Sequence, residues 1–239
     1  MAQLYNYEAL EALVLKLGFL PFFKNEIPGF SVEEHTPSKL WFSDEADGPW
    51  EWKGPVAGNG KCAYGKLFNG KAGFVSMDWF PELVNYRRHI YSLNEDNAQS
   101  KANLIYHTVV EHNSLLSKEI KALCGYKKQR SKRFEPVEAW ESKIVKEVSA
   151  KGEGFDTVMT RLQMGTWLVV ADFEYQYNKQ LQPYGWGIAR YTTPEALFDE
   201  SVVHACKDHS PEESKQRLIE YLSNLLPQAT QPQILRLIG

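Results

Sequence analysis

The stretch FDTVMTRLQMGTWLVVADF at residues 155–173 decides the predicted fold, because a helical pattern passes directly into a strand pattern. Val158 and Leu162 recur at helical spacing within Asp156–Met164, and a glycine follows. The dense apolar run Trp167–Phe173 then suits a buried strand. A helix that leads at once into a buried strand is therefore predicted here.

Two helices are predicted before this stretch and a returning strand after it. Ala102–Glu111 has apolar residues at helical spacing, and Ser117 suits the N-cap of the next helix. Downstream, a polar bend over Asn178–Gly187 allows Ile188–Tyr191 to return as a strand. Three helices and a hairpin wing predict an α+β fold with a winged-helix domain over residues 101–193. A small α+β bundle without a nucleic-acid role is the alternative.

The N-terminal part is predicted to be a smaller α+β region over residues 1–95. Tyr7–Leu17 and Met77–Tyr91 have helical apolar patterns. Asn69-Gly70 lies between two short strand-like runs and predicts a β-hairpin over residues 61–76. Before the hairpin the chain is rich in proline, glycine, acids and aromatic residues, which predicts irregular segments.

The C-terminal part, residues 194–239, is predicted to be a helical segment. Ser210 is a suitable N-cap, Pro211 suits the first helical position, and Glu213 completes a capping box. Internal repeats are not evident in the sequence.

The charge distribution points to a basic middle in a chain whose net charge is -3. Residues 1–51 contain nine acids and three lysines, and residues 194–239 contain seven acids and four bases. The excess of positive charge therefore lies between them. A local basic density of this kind is the electrostatic signature of a polyanion partner, although a solvated loop is an equal alternative.

The densest basic run lies in Ile120–Phe134, which has no acid. Its side chains suit contacts with phosphates, which position a protein on DNA without reading sequence. The predicted contact residues are Lys127, Lys128, Arg130, Lys132 and Arg133.

Two further groups are candidates for contact with DNA. Two tryptophans of the N-terminal region, Trp50 and Trp52, can stack on an extruded base. Packing in an aromatic core is the better interpretation of both. The third predicted helix has four polar side chains that can reach a groove of DNA: Thr157, Thr160, Arg161 and Gln163. A helix surface that faces only solvent has the same pattern.

No cofactor, metal or catalytic centre is predicted. His204, Cys206 and His209 are ligand types at short spacing, but no second group of matching ligands is evident. The three cysteines are far apart and are expected to be reduced. No apolar run approaches the ~18 residues of a membrane span, and no export signal is evident. We therefore expect a cytoplasmic protein without a membrane partner.

Three stretches together resemble the AlkZ-related proteins. They are Trp50-Glu51-Trp52-Lys53, Tyr64-Gly65-Lys66 leading to Phe74-Val75-Ser76, and Phe155 followed by Leu162-Gln163 and Leu168-Val169-Val170. The resemblance covers residues 5–200. AlkZ-related proteins are relatives of bacterial AlkZ-type DNA glycosylases, which are built from winged helices, so the resemblance implies duplex DNA as the partner.

The catalytic pair of those glycosylases has no counterpart at the matching place. In the glycosylases, Gln-x-Gln or Gln-x-Asp positions the water that releases an alkylated base. The closest local match places Pro21 and Phe23 at the two polar positions, and neither can position or deprotonate water. Gln180-Leu181-Gln182 spells the motif but falls in the predicted wing.

The sequence therefore predicts a DNA-binding winged-helix protein that is related to repair glycosylases and lacks their catalytic pair. Two alternatives stay open. One is a module that binds a protein partner and no nucleic acid. The other is an active glycosylase with displaced catalytic residues, so whether the chain is an enzyme is left undecided.

Overall fold

Two small antiparallel sheets and the helices around them form an α+β structure. It is a computed structural model that describes residues 3–43, 45–93, 100–126, 153–181 and 183–239. The strands are β1 (Phe19–Pro21), β2 (Cys62–Phe68), β3 (Lys71–Ser76), β4 (Ser114–Leu116), β5 (Val169–Tyr177) and β6 (Pro183–Thr192). The helices are α1 (Tyr7–Leu17), α2 (Val32–His35), α3 (Pro49–Gly58), α4 (Phe80–Ile90), α5 (Lys101–His112), α6 (Ser117–Leu123), α7 (Phe155–Met164), α8 (Pro194–Phe198), α9 (Glu200–Val203), α10 (Pro211–Leu225) and α11 (Gln231–Ile238).

Local signals in the sequence account for several of these elements. Helix α1 ends at Gly18, whose φ of 70° is the left-handed conformation that glycine adopts without strain. Helix α10 begins at the predicted capping box, in which the Ser210 side chain accepts from the Glu213 N–H. Asn69 and Gly70 both have positive φ and connect β2 to β3 in a two-residue turn. These predictions are confirmed.

The two sheets repeat one order of elements. In the first, α1, β1, α2, α3, β2 and β3 follow one another, and the strands lie in the order β1-β3-β2. In the second, α5, β4, α6, α7, β5 and β6 follow one another, and the strands lie in the order β4-β6-β5. We call these the first and second modules. The sequence shows no repeat because the modules share topology rather than residues.

The third helix of each module packs against the hairpin of the other module. Helix α3 lies on β5, where the ring of Phe173 packs beside Gly54. Helix α7 lies on β2, where Gln163 approaches Gly65. Each third helix therefore has one face buried between the modules.

The C-terminal helices α10 and α11 pack on the first module and α4. One apolar cluster joins Phe19 and Phe80 to Leu218, Leu222 and Ile234. The first sheet thus obtains much of its apolar cover from the far end of the chain.

Some boundaries differ from the sequence prediction. The hairpin of the second module is longer than predicted, because β6 begins at Pro183, inside the bend predicted over Asn178–Gly187. Helix α6 has Leu116 at the N-cap position, one residue before the predicted Ser117, and the Glu119 carboxylate accepts from the Leu116 N–H at 2.7 Å. Helix α3 was not predicted. Among the described residues, no helix is both long enough and apolar enough to cross a membrane.

Candidate nucleic-acid interface

Helix α7 divides its predicted contact residues between the surface and the interior. Thr157 and Arg161 are exposed and lie four residues apart on one face of the helix. Thr160 is half-buried, and its Oγ1 accepts from Lys66 Nζ at 3.1 Å and donates to the Asp156 carbonyl at 2.7 Å. The face of α7 that contains Thr157 and Arg161 can therefore contact a partner, whereas the last three residues of the helix, 162–164, are buried.

Gln163 is a correction to the predicted surface, because its side chain is 1% exposed. Its Oε1 accepts from the Lys66 backbone N–H at 3.0 Å, and its Nε2 donates to the Met159 carbonyl at 2.9 Å. The amide that was expected to read a base instead bonds α7 to β2. The helical pattern alone could not distinguish these roles, since the partner strand lies almost 100 residues upstream.

Replacing Gln163 with leucine is expected to lower the free energy of unfolding by about 2 kcal/mol, since the Lys66 N–H loses its acceptor in a partly buried place. Arg161→Ala is expected to cost less than about 1 kcal/mol, because its ion pair with Glu153 is exposed. Urea unfolding of both variants measures the difference. Equal stabilities would contradict a structural role for Gln163.

The predicted basic cluster, Lys127, Lys128, Arg130, Lys132 and Arg133, lies outside the described residues. The described chain stops at Tyr126, whose ring lies 5.2 Å from that of Phe155, the first residue of α7. Lys101 Nζ lies 5.1 Å from the Tyr126 ring, and Lys121 Nζ lies 4.6 Å from the Phe155 ring. Lys101 and Lys121 thus lie near the first turn of α7.

The tryptophans that were candidates for base stacking belong to an aromatic cluster around Phe22. Trp52 is 3% exposed, and Trp50 is half-buried with its ring 5.5 Å from that of Phe22 and 5.8 Å from that of Trp41. Core packing, which the sequence favoured for these residues, describes their positions. The burial of Trp52 leaves its ring without a face that could stack on an extruded base.

Helix α3 also buries a lysine that the sequence did not single out. Lys53 is 6% exposed, and its Nζ donates to the Trp50 carbonyl at 2.6 Å and lies 4.2 Å from the centre of the Phe173 ring. Burial lowers the pKa of Lys53 to about 8, and the negative charge of Glu51 opposes this only in part. The described residues place no carboxylate in an ion pair with this amine.

A groove of about 890 Å³ runs between α3 and the hairpin of the second module. Its charged lining groups are Glu51 and Asp172, and Phe173 and Tyr175 supply aromatic surface. Carboxylates at this place repel phosphates, so the groove is unsuited to a nucleic-acid backbone.

Pro21 and Phe23 line a second, smaller pocket of about 110 Å³. Three polar groups beside it already have partners, since Glu26 pairs with Arg236 and the Gln233 amide donates to the Glu26 carbonyl. The pocket is also smaller than the several hundred Å³ typical of ligand sites. It therefore lacks the volume expected for holding an extruded base and its attacking water.

The ligand-type residues near the C-terminal helices separate into two places. His204 Nε2 lies 3.1 Å from Glu195 Oε1. Cys206 and His209 instead lie beside Glu82 of α4, which is a third residue with a ligand atom. The sequence pattern did not predict this group, because Glu82 is more than 120 residues from Cys206 and His209.

Comparison with known proteins agrees with the resemblance noted in the sequence. The model of a family described as AlkZ related matches residues 4–239. No curated protein and no solved structure gave a significant match. Because the family model spans nearly the whole chain, both modules and the C-terminal helices are included, and the chain belongs to the AlkZ-related family.

Proposed function

We propose that this protein binds duplex DNA through its second module, a winged helix whose contact surface is the exposed face of α7, with Thr157 and Arg161, together with the basic cluster of residues 127–133. We further propose that it lacks the water-positioning pair of the related glycosylases. Membership of a family related to DNA-repair glycosylases supports the choice of DNA as the partner.

The order of elements supports the winged-helix assignment. Helices α5, α6 and α7 are followed by the β5–β6 hairpin, and β4 joins the same sheet between α5 and α6 in sequence. In helix-turn-helix proteins, the N-terminal residues of the recognition helix contact base edges. In α7, Thr157 near that end is exposed, Arg161 follows one turn later on the same face, and residues 162–164 at the other end are buried.

The observation that carries the proposal is the position of two lysines beside the first turn of α7. Lys121 Nζ lies over the Phe155 ring, and Lys101 Nζ lies over the neighbouring Tyr126 ring. In the sequence, the basic cluster follows Tyr126 directly. The positive end of the helix dipole also favours a phosphate at this place.

Two acids at this surface do not prevent such contacts. Glu153 pairs with Arg161 at 2.6 Å, and Asp156 lies 3.6 Å from Lys121. Exposed pairs of this kind contribute about 0–1 kcal/mol, so a phosphate can replace the carboxylate at small cost.

Fluorescence anisotropy with labelled duplex DNA at several salt concentrations tests the proposal. The wild type is expected to bind with a steep salt dependence, because phosphate contacts release counterions. Changing the basic cluster to alanine, at Lys127, Lys128, Arg130, Lys132 and Arg133, is expected to reduce the slope of log K against log salt by up to about 4. The double variant Thr157→Ala and Arg161→Ala is expected to weaken binding about tenfold or more.

A matched control removes exposed lysines elsewhere on the surface: Lys16, Lys24, Lys39 and Lys207, each to alanine. Its loss of slope per charge is expected to be small. An equal loss of slope per charge in the basic-cluster variant and in this control would contradict a specific contact surface and indicate general charge attraction. No binding by the wild type would contradict the proposal and favour a module that binds protein.

The proposed lack of catalysis is tested separately with alkylated duplex DNA. No release of damaged base above the spontaneous rate is expected at high protein concentration. Release by the wild type would overturn this part of the proposal and indicate displaced catalytic residues.

A further inference from the structure

Three ligand-type side chains from distant parts of the chain meet between α4 and the loop before α10. The carboxylate of Glu82, the thiol of Cys206 and the imidazole of His209 have ligand atoms that all lie within 4.8 Å of one another. His209 Nδ1 lies 3.1 Å from Glu82 Oε2.

A tight turn explains how the loop presents two of these groups together. The His209 N–H donates to the Cys206 carbonyl at 3.0 Å, which places residues three apart on one side of the turn. Asn85 Nδ2 donates to the His209 carbonyl at 2.9 Å and attaches this turn to α4. Glu82 lies in the first turn of the same helix, so its side chain meets the turn.

The carboxylate is held in a built environment rather than in solvent. Glu82 is 2% exposed, and its Oε2 accepts from Ser214 Oγ at 2.6 Å while its Oε1 accepts from Arg217 Nε at 2.6 Å. Hydrogen bonds of this kind orient metal-binding carboxylates in proteins. Cys206 and His209 are half-buried, so an ion can reach the cluster from the solvent side.

We propose that Glu82, Cys206 and His209 form a binding site for a divalent transition metal, with Zn²⁺ the best fit. One sulfur, one nitrogen and one oxygen ligand match the preferences of Zn²⁺ and leave a fourth position for water. The thiolate and the carboxylate balance the charge of the ion, and Arg217 pairs with the other oxygen of Glu82. Ligands about 2.0–2.3 Å from a tetrahedral Zn²⁺ lie roughly 3.3–3.8 Å from one another, so a separation near 4.8 Å must shorten by about 1 Å when the ion binds.

Ion binding has a defined proton balance at this site. The thiolate of Cys206 is the form that binds the ion, so the thiol proton leaves for solvent when the ion binds. His209 binds through Nδ1 as the neutral imidazole, with its ring proton on Nε2.

Such an ion would attach the loop between α9 and α10 to α4. Helix α10 packs directly on α4, so the ion would reinforce the contact between the C-terminal helices and the first module. The three residues of this site are not among those of the proposed DNA contact, and neither proposal depends on the other.

Titration of the untagged, reduced protein with Co²⁺ tests the site. The wild type is expected to bind one Co²⁺ with a thiolate-to-cobalt charge-transfer band and the visible bands of a four-coordinate ion, and Zn²⁺ is expected to displace it. Cys206→Ser is expected to abolish the charge-transfer band, and His209→Gln is expected to weaken binding on the order of tenfold or more.

His204→Gln is the matched control, because His204 lies on the same loop but contacts Glu195. It is expected to keep the band and the affinity of the wild type. Thermal unfolding gives a second measurement, in which Zn²⁺ raises the Tm of the wild type but not of Cys206→Ser. Absence of the band in the wild type, its survival in Cys206→Ser, or an equal loss in His204→Gln would overturn the proposal.

Discussion

Replacing Arg87 with methionine is expected to lower the free energy of unfolding by about 4 kcal/mol. Arg87 is fully buried, and its guanidinium donates to backbone carbonyls of Leu67, Met164, Leu237 and Ile238 at 2.6–3.1 Å. Methionine fills much of the same space but leaves these acceptors without their donor. Each buried polar group that loses its partner costs about 1–3 kcal/mol.

The position of these carbonyls explains why a cation is tolerated here. Met164 ends α7, and Leu237 and Ile238 end α11, so Arg87 binds the negative ends of two helix dipoles. The Leu67 carbonyl adds β2 to the same group. Burial lowers the pKa of Arg87 to about 10, which leaves the side chain charged at neutral pH. One side chain thus connects both modules to the last helix.

Urea unfolding of three variants measures this effect. Arg87→Lys keeps a charge but cannot reach four acceptors with its single amine, so its loss is expected to be intermediate. Arg236→Met is the control on α11, because Arg236 forms an exposed ion pair with Glu26, and its cost is expected to stay below about 1 kcal/mol. A stability for Arg87→Met within 1 kcal/mol of the wild type would contradict this role.

The parts of the fold that sequence reasoning predicts are those governed by local chemistry. Gly18 ends α1 with a positive φ, Asn69-Gly70 makes the hairpin turn, and Ser210 caps α10. In each case a few adjacent residues determine the backbone conformation. The apolar pattern of α7 likewise survives in the structure, because Val158 and Leu162 are buried.

The parts that sequence reasoning missed depend on distant contacts. Helix α3 contains Pro55 and buries Lys53, so its pattern lacks a clear apolar stripe, and it forms against β5 of the second module. Strand β4 has three residues and no local signal beyond its pairing with β6. Tertiary packing determines such elements.

The same distinction applies to candidate sites. Arg161 and Gln163 are two residues apart on one predicted helix, yet the first is exposed and the second is bonded to β2. The sequence pattern around Cys206 and His209 contains no further matching group, whereas in the structure Glu82 of α4 lies beside them. Residue type indicates what chemistry is available, whereas the packing of remote elements decides whether a side chain is accessible and what lies next to it.

Replacing Lys53 with methionine is expected to stabilise the protein by about 1–2 kcal/mol near pH 7. Burial lowers the pKa of Lys53 to about 8 in the folded protein, whereas a solvent-exposed lysine has a pKa of 10.5. A shift of this size costs the folded state about 3 kcal/mol when both states are protonated. Methionine removes that cost but also loses the hydrogen bond to Trp50 and the contact with the Phe173 ring, so the net gain is smaller.

The pH dependence of this difference identifies the cause. Between about pH 8 and 10.5 the unfolded chain holds the Lys53 proton more strongly than the folded protein does, so raising the pH favours the folded state of the wild type. The difference in stability is therefore expected to change by about 2 kcal/mol in favour of the wild type from pH 7 to pH 9.5, which removes the advantage of Lys53→Met. Subtracting the wild type from the variant at each pH cancels the tyrosines and cysteines that both proteins share.

Urea unfolding of both proteins at several pH values provides the measurement. Lys121→Met is the matched control for the loss of a ring contact, since Lys121 Nζ also lies over an aromatic ring but its side chain reaches solvent. A difference between Lys53→Met and the wild type that stays constant with pH would show that the folded protein does not disfavour the charged amine. A difference that falls as the pH rises would identify Lys53 as a buried cation whose charge the fold maintains at a cost in stability, in the helix that joins the two modules.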